Sequence, residues 1–319
     1  MEDISLWQWL GLICAIYAVV GNDSVQTLGT WIESNKDTVN WKIMWASASV
    51  ILLWAIWYGW SVNNGDISYG RLDQIPWQEI QWYHALVSVI LVVLTLKGFP
   101  VSTSFLVLSA FASTVVIEKI LLKSMMGYAV AAVFAYGIWW IITKILDESD
   151  PVKPHHRKWW YIAQWSITAF LWWTWLSHDM ANIAVFLPRQ VPFDLMIVIS
   201  LMFVAGLGWM FYAGGGKIQK IVQEKHNTRY VRSACFVDLF YLVVLFFFKE
   251  MNNIPMSTTF VFLGLLCGRE LAIATFTGET NFKKVFPLVK NDFFKIITGL
   301  TVSMIIIFAV QYISHFYDV

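Results

Sequence analysis

Charged residues are scarce in this sequence. Only 13% of its 319 residues are Asp, Glu, Lys or Arg, whereas 58% are hydrophobic and 17% are aromatic. Soluble domains carry about 25% charged residues, so the composition excludes an ordinary soluble protein and indicates a chain that crosses the lipid bilayer several times. The formal net charge of +1 provides no general basic surface, and we therefore exclude nucleic acid as a partner.

Cysteine is rare, and recognisable catalytic patterns are missing. The three cysteines are scattered through apolar stretches and form neither a disulfide framework nor a metal-binding pattern. Ser177, His178 and Asp179 are consecutive, so their side chains diverge and their spacing does not make a catalytic triad. We predict no enzyme, no catalytic residue and no cofactor. An intramembrane enzyme or a non-transporting membrane scaffold is the alternative from another class.

Long hydrophobic runs are what the sequence has in abundance. A helix needs about 17 to 25 residues to cross the hydrocarbon layer, and Trp and Tyr crowd the ends of several runs, as expected at headgroup depth. The polar segment 147–157 divides the chain into a first repeat, 1–146, and a second repeat, 158–319. The predicted membrane segments are 4–20, 41–60, 80–97, 103–120, 126–146, 158–177, 191–213, 233–249, 257–276 and 291–315.

Two unrelated motifs occur once in each half. "GNDSVQTLGT" is matched by "SHDMANIAVF", which places Asp179 156 residues after Asp23. "KGFPVSTS" is matched by "NNIPMSTT", which places Pro255 155 residues after Pro100. The same order and spacing predict two structural repeats. Five apolar segments in each half, an odd number, predict that the repeats have opposite orientations.

Loop charges agree with an inversion. The 214–232 loop has five Lys and Arg residues against one Glu, whereas the equivalent 61–78 loop has one Arg against two Asp. Basic loops lie mostly on the cytoplasmic side. We therefore predict that 214–232 is cytoplasmic, that 61–78 is outside, and that the chain is an integral protein of the plasma (inner) membrane.

The duplicated motifs resemble those of the inorganic phosphate transporter (PiT) family. Its hallmarks are a duplicated G-A-N-D-V-A-N-x-x-G-[TP] and a duplicated G-x-P-V-S-T-T-H. The first motif survives here around Asn22 and Asp23 and again around Asp179 and Asn182, and the second survives as "GFPVSTS" and "IPMSTTF". The resemblance covers nearly the whole chain. It implies an all-α polytopic membrane protein with two inverted-topology repeats, broken or re-entrant helices that meet at the midplane, and a homodimer.

Six positions depart from the family pattern. Gln26 replaces the second Asn of the first motif, and His178 stands at the Asn position of its second copy. Val185 and Phe186 stand where Gly-Pro is expected, and Phe105 and Phe260 replace both His residues. These departures leave open whether the oxyanion is phosphate or sulfate and whether the coupling ion is Na+ or a proton.

Elementary chemistry assigns the same residues to a site. A proline favours the start of a new helix, and hydroxyls with free N–H groups at a helix N-terminus bind anions. A carboxylate at membrane depth is costly and indicates function, and oxygen ligands suit a small alkali cation such as Na+. The predicted substrate-binding residues are Ser102, Thr103, Ser104, Ser257, Thr258 and Thr259. The predicted coupling-ion residues are Asn22, Asp23, Gln26, His178, Asp179 and Asn182.

Together these features predict an ion-coupled symporter of inorganic phosphate or a similar tetrahedral oxyanion, driven by Na+ or H+, with no metal beyond Na+. A sulfate permease of the same fold is the alternative. The role of His178 stays open between ion coupling and a hydrogen bond to a neighbouring helix. That of Asp238, inside an apolar segment, stays open between structural pairing and a proton relay.

Overall fold

The structure is a computed structural model and describes residues 4–99, 101–145, 154–223, 231–276 and 282–317. Within these ranges the protein is helical and contains no β-strand. The all-α prediction is confirmed.

The described residues contain thirteen α-helices and one π-helical turn. The first half contains α1 (Leu6–Ala18), the π-helical turn (Val19–Ser24), α2 (Val25–Asn35), α3 (Trp41–Val62), α4 (Trp82–Lys97), α5 (Thr103–Ser109) and α6 (Thr114–Ile145). The second half contains α7 (Pro154–Asp179), α8 (Ala181–Ala184), α9 (Phe193–Tyr212), α10 (Gln219–Gln223), α11 (Val231–Met251), α12 (Thr258–Phe276) and α13 (Phe282–Tyr317).

Six of these helices are long and apolar enough, by length and composition, to cross a membrane. They are α3, α6 over Thr114–Ile142, α9, α11, α12 and α13 over Ile296–His315. Several present large hydrophobic side chains outward, including Trp54, Phe246 and Phe308. Because such surfaces are covered by lipid in a spanning protein, the chain is an integral membrane protein.

The first half departs from the predicted segments. The prediction of separate segments at 103–120 and 126–146 is wrong, because the chain turns after Ser109 and then continues as α6, one helix of 32 residues. Hydropathy does not locate this turn, since the residues around it are as apolar as their neighbours. The odd number of segments therefore no longer supports the inversion, which stays a prediction.

Contacts between helices come in matched pairs across the two halves. Helix α1 packs on α4 as extensively as α7 packs on α11. The contacts of α3 with α7 and of α6 with α12 also have counterparts, α9 with α1 and α13 with α5, but these counterparts are much smaller. Each pair becomes the other when the halves are exchanged, as expected of two repeats that have diverged. The boundaries at 146 and 158 stay predictions. The linker 147–157 lies outside the described residues up to 153, and α7 begins within it at Pro154.

Helix α12 lies deep in the protein, with 78% of its apolar stretch buried. Gly264 and Gly268 face α6 so closely that a methyl group on either would overlap the backbone carbonyl of Tyr128 or Ala132. Small residues allow membrane helices to approach and gain dispersion energy where lipid offers no hydrophobic driving force. This contact fixes α12, and with it the polar residues at its N-terminus.

We expect Gly268→Ala to lower the free energy of unfolding by about 1–3 kcal/mol, because the added methyl group overpacks the α6–α12 contact. The matched control is Gly137→Ala on α6, where no atom lies within 4 Å of the new methyl position and the helix gains up to about 1 kcal/mol of propensity. The measurement is the thermal unfolding midpoint of the purified protein in detergent. Equal midpoints for the two variants would contradict the packing argument.

Candidate functional site

Both copies of the acidic motif lie where a helix is interrupted. In the first half, Asn22 and Asp23 are buried in the π-helical turn between α1 and α2. In the second half, α7 ends at Asp179 and α8 begins at Ala181. Such local departures from α-helical geometry are frequent at functional sites, and at membrane depth they require a protein or cavity lining.

Both copies of the Ser/Thr motif begin a helix. The Ser102 hydroxyl oxygen accepts a hydrogen bond from the Phe105 N–H at 3.1 Å, and Ser257 accepts one from the Phe260 N–H at 3.2 Å. These two serines are therefore N-caps. Pro100 lies outside the described residues, whereas Pro255 precedes α12 in the uncoiled stretch after α11.

The Asp179 carboxyl group is surrounded by hydrogen-bond donors. Its Oδ1 accepts from the Ser104 hydroxyl at 3.1 Å and from the Asn182 amide at 2.8 Å, and its Oδ2 accepts from the Thr258 hydroxyl at 2.9 Å. The Trp175 indole N–H donates to the Thr258 hydroxyl oxygen at 3.2 Å and holds it in place. Ser104 belongs to the first half and Thr258 to the second, so both halves contribute to this carboxyl group.

The Asp23 carboxyl group is held more loosely. Its Oδ1 accepts from the Asn22 amide at 2.8 Å and from the Thr259 hydroxyl at 3.4 Å. Asn22 also donates to the Val101 carbonyl at 2.7 Å, next to the start of α5, and accepts from the Gln26 amide at 2.9 Å. The Asp23 and Asp179 carboxyl groups interact electrostatically, and the consecutive Thr258 and Thr259 link them.

The two motif pairs thus form one cluster of buried residues. Asn22 contacts the Val101 carbonyl before α5, and Asp179 contacts Thr258 in the first turn of α12. In addition, each carboxyl group accepts a hydrogen bond from the other half, Asp23 from Thr259 and Asp179 from Ser104. The position of this cluster relative to the membrane midplane stays a prediction.

Several oxygen atoms in the cluster are buried without a hydrogen-bond partner among the described residues. They are Asp23 Oδ2, Gln26 Oε1 and Asn182 Oδ1. A buried carboxylate or amide oxygen without a partner is costly, and oxygen atoms of this kind are good ligands for Na+. Two of the three come from the first-half motif, so the residues fit a cation most closely around Asp23 and Gln26.

His178 does not join the cluster through its hydrogen bond. Its Nε2 contacts the Leu245 carbonyl on α11 at 3.0 Å. Successive helix residues point about 100° apart, so His178 faces α11 while Asp179 faces α5 and α12. This geometry gives no support to the prediction that His178 is a coupling-ion ligand. It agrees with the alternative, in which His178 forms a hydrogen bond to a neighbouring helix. Ser177 in turn donates to the Thr174 carbonyl, so the three consecutive residues do not form a catalytic triad.

Asp238 bridges three helices. Its carboxyl oxygens accept hydrogen bonds from the Thr30 hydroxyl on α2 and from the Thr168 hydroxyl on α7, the latter at 2.6 Å. This is the structural pairing that the sequence left open. Thr30 ends the first acidic motif, so Asp238 ties that motif to α7 and α11.

Sequence reasoning missed two groups near Asp179. Tyr241 on α11 donates its hydroxyl to the Thr258 carbonyl at 3.1 Å, which supports the first turn of α12. Arg71, from the 61–78 loop, donates its Nε to the Ser177 carbonyl at 2.7 Å. The available signal is that Arg71 stands alone among acidic residues in its loop.

No group of three or more His, Cys, Asp or Glu side chains in the described ranges could hold a metal ion. The cluster is instead built from two carboxyl groups, three amide side chains and several hydroxyls, which can bind a hard cation beside hydroxyl and N–H donors.

Comparison with known proteins supports the fold. No family model matches the chain, and no curated protein matches it in sequence. Among solved structures, the chain is similar to one described as "The sodium-dependent phosphate transporter", with a TM-score of 0.66 and 14% sequence identity over 98% of this chain and 100% of that chain. The chain has the fold of that transporter. This likeness extends over both halves of the chain.

We expect Ser102→Ala to lower the free energy of unfolding by about 1 kcal/mol, because it leaves the Phe105 N–H without its cap. Ser109→Ala, at the other end of α5, is the matched control, since its buried hydroxyl has no hydrogen-bond partner among the described residues. Thermal unfolding midpoints in detergent measure both. A midpoint for Ser102→Ala as high as that for Ser109→Ala would contradict the capping role.

Proposed function

We propose that the protein is a secondary active transporter that moves inorganic phosphate, or a similar tetrahedral oxyanion, together with Na+. The observation that carries the proposal is the cluster between the halves, in which buried carboxyl and amide oxygens stand beside two helix starts rich in hydroxyls. The similar solved structure is described as a sodium-dependent phosphate transporter, which supports the same substrate and ion for this chain.

Na+ is best accommodated at the first-half motif. Asp23 Oδ2 and Gln26 Oε1 accept no hydrogen bond from any described residue, and the Asn22 amide donates to the other oxygen of the Asp23 carboxyl group. A cation there would stabilise a charge that is costly at membrane depth. It would also reduce the repulsion between the two carboxyl groups and a negatively charged substrate.

The anion is best accommodated by hydroxyls that neither cap a helix nor donate a short hydrogen bond to a carboxyl group. Ser102 and Ser257 cap their helices, and Ser104 and Thr258 donate to Asp179. Two of the six predicted residues are left. The Thr103 hydroxyl acts on Asp23 but makes no close hydrogen bond among the described residues. The Thr259 hydroxyl is 3.4 Å from Asp23.

Cation and anion binding are thereby coupled through Thr259. A hydroxyl has one proton to donate, so Thr259 can donate to Asp23 or to an oxyanion, but not to both. When Na+ occupies the Asp23 carboxyl group, the Thr259 hydroxyl is released and can turn to the oxyanion. Binding of Na+ would then precede tight binding of the anion.

The remaining parts of the proposal concern assembly and location. We propose a homodimer in the plasma (inner) membrane, with the 214–232 loop on the cytoplasmic side. The described part of this loop supplies α10, where the Gln219 amide donates to the Gly29 carbonyl of α2 at 2.9 Å. The described part of the loop thus contacts the first-half acidic motif.

Uptake into proteoliposomes tests the function. Radiolabelled phosphate should accumulate under an inward Na+ gradient and much less when K+ replaces Na+, and unlabelled phosphate should compete better than sulfate. Stronger competition by sulfate would assign the alternative substrate. Accumulation driven only by a pH gradient would assign protons as the coupling ion. Failure of both anions to accumulate under either gradient would contradict the transport proposal.

We expect Asp23→Asn to raise the Na+ concentration for half-maximal uptake at least tenfold, because an amide keeps the shape of the side chain but not the charge that attracts Na+. The matched control is Asp194→Asn in the exposed first turn of α9, which should behave as the parent. The measurement is initial phosphate uptake against Na+ concentration. An unchanged Na+ dependence in Asp23→Asn would remove Asp23 from the ion site.

A further inference from the structure

Arg71 is a buried cation whose donors are only partly used. It lies in the connection between α3 and α4 and is 2% exposed. Its Nε donates to the Ser177 carbonyl, two residues before Asp179, and its Nη1 has no hydrogen-bond partner among the described residues. A guanidinium buried with an unused donor needs a compensating negative charge.

Asp179 supplies that charge. Two acidic groups act on Arg71, and Asp179 acts more strongly than Glu250. Arg71 is not among the three donors that contact Asp179, so it acts on the carboxyl group through space. Burial lowers the pKa of Arg71 to about 10, and the side chain therefore keeps its positive charge at neutral pH.

The other cationic groups nearby have different partners. The Lys123 ammonium donates to the Asn252 carbonyl, the Asn252 side chain and the Ile254 carbonyl at 2.8–3.0 Å, so its three protons are used in hydrogen bonds to the uncoiled stretch before α12. Lys249 is 3.8 Å from the Glu250 carboxyl group and lies over the Trp173 ring. Of these cations, Arg71 is the one anchored beside the Asp179 motif.

The two carboxyl groups of the cluster are therefore unequal. Both oxygens of Asp179 accept hydrogen bonds and a fixed cation acts on the group. Asp23 has one oxygen without a hydrogen-bond partner among the described residues, and the groups that act on it are the Asn22 amide, the Asp179 carboxyl and the hydroxyls of Thr103 and Thr259, none of which is a cation. Asp23 still requires a cation from solution, whereas Asp179 already has a compensating charge.

We propose that Arg71 is a tethered counter-cation for Asp179, which takes the place of a second coupling ion and leaves one Na+, at Asp23, for each transport cycle. The inference rests on the proposed function, because it assigns the number of ions that the same site uses. The positive charge stays with the protein throughout the cycle, so each oxyanion is accompanied by one cation fewer than two equivalent motifs would carry.

Equilibrium binding of radioactive Na+ to the purified protein, without any oxyanion, counts the ions. Arg71→Gln removes the charge but keeps an amide donor for the Ser177 carbonyl, so the number of bound Na+ should rise by about one. Arg71→Lys keeps the charge and should bind as the parent does. An unchanged number of bound Na+ in Arg71→Gln would overturn the proposal.

Arg189→Gln is the matched control. Arg189 also donates to a backbone carbonyl, that of Ile75 at 2.7 Å, and its Nη1 also has no hydrogen-bond partner among the described residues. Its acidic neighbours are Asp66 and Asp73. The number of Na+ ions bound by Arg189→Gln should equal that of the parent, and a rise as large as that in Arg71→Gln would overturn the specific pairing of Arg71 with Asp179.

A double variant covers the case in which Arg71→Gln does not fold. In Arg71→Gln/Asp179→Asn both charges are removed, so the protein should fold and bind as many Na+ ions as the parent. If this variant also fails to fold, removal of the Asp179 charge does not compensate for the loss of the Arg71 charge, and the proposal is overturned. Na+ is counted without an anion, so this result does not depend on which substrate the protein transports. If the parent and the variants bind the expected numbers of Na+ ions but the parent accumulates no oxyanion, only the proposed function is contradicted.

Discussion

The buried carboxyl groups of Asp23 and Asp179 are the constraint on which the rest of the structure depends. A carboxylate in a medium of low dielectric constant must be hydrogen-bonded or paired, and neither half supplies enough partners alone. Thr259 of the second half donates to Asp23, and Ser104 of the first half donates to Asp179. The interface between the halves is thus also the candidate site, so a change in how the halves pack changes the surroundings of both carboxyl groups.

The helix interruptions follow from the same constraint. Each places a polar group where a regular helix would present an apolar face, and each needs partners for the backbone groups it frees. The Asn22 amide donates a hydrogen bond to the Val101 carbonyl before α5, and the Lys123 ammonium donates to the Asn252 and Ile254 carbonyls before α12. The two sides are related but not equivalent. Both carboxyl oxygens of Asp179 accept hydrogen bonds, whereas Asp23 retains a carboxyl oxygen without a hydrogen-bond partner among the described residues, which suits an exchangeable ion.

The sequence predicted the parts of this account that depend on composition and spacing. Low charge predicted the membrane protein, and the duplicated motifs predicted the residues of the candidate site, because equal spacing in two repeats leads to equivalent positions. It did not predict the division between α5 and α6, since hydropathy is the same on both sides of the turn after Ser109. It also did not predict that Arg71 contacts the Ser177 carbonyl, and it left open whether His178 faces the ion site or α11. Both contacts depend on how helices and loops from different parts of the chain pack together.

The central claim is that the first turns of α5 and α12 enclose one oxyanion beside the two carboxyl groups. The most direct measurement is an anomalous difference map, at the arsenic absorption edge, from crystals grown with arsenate and Na+. The account predicts a peak between the two helix starts, within hydrogen-bonding distance of Thr103 and Thr259. A bound arsenate whose peak lies elsewhere in the protein, with none between α5 and α12, would contradict it.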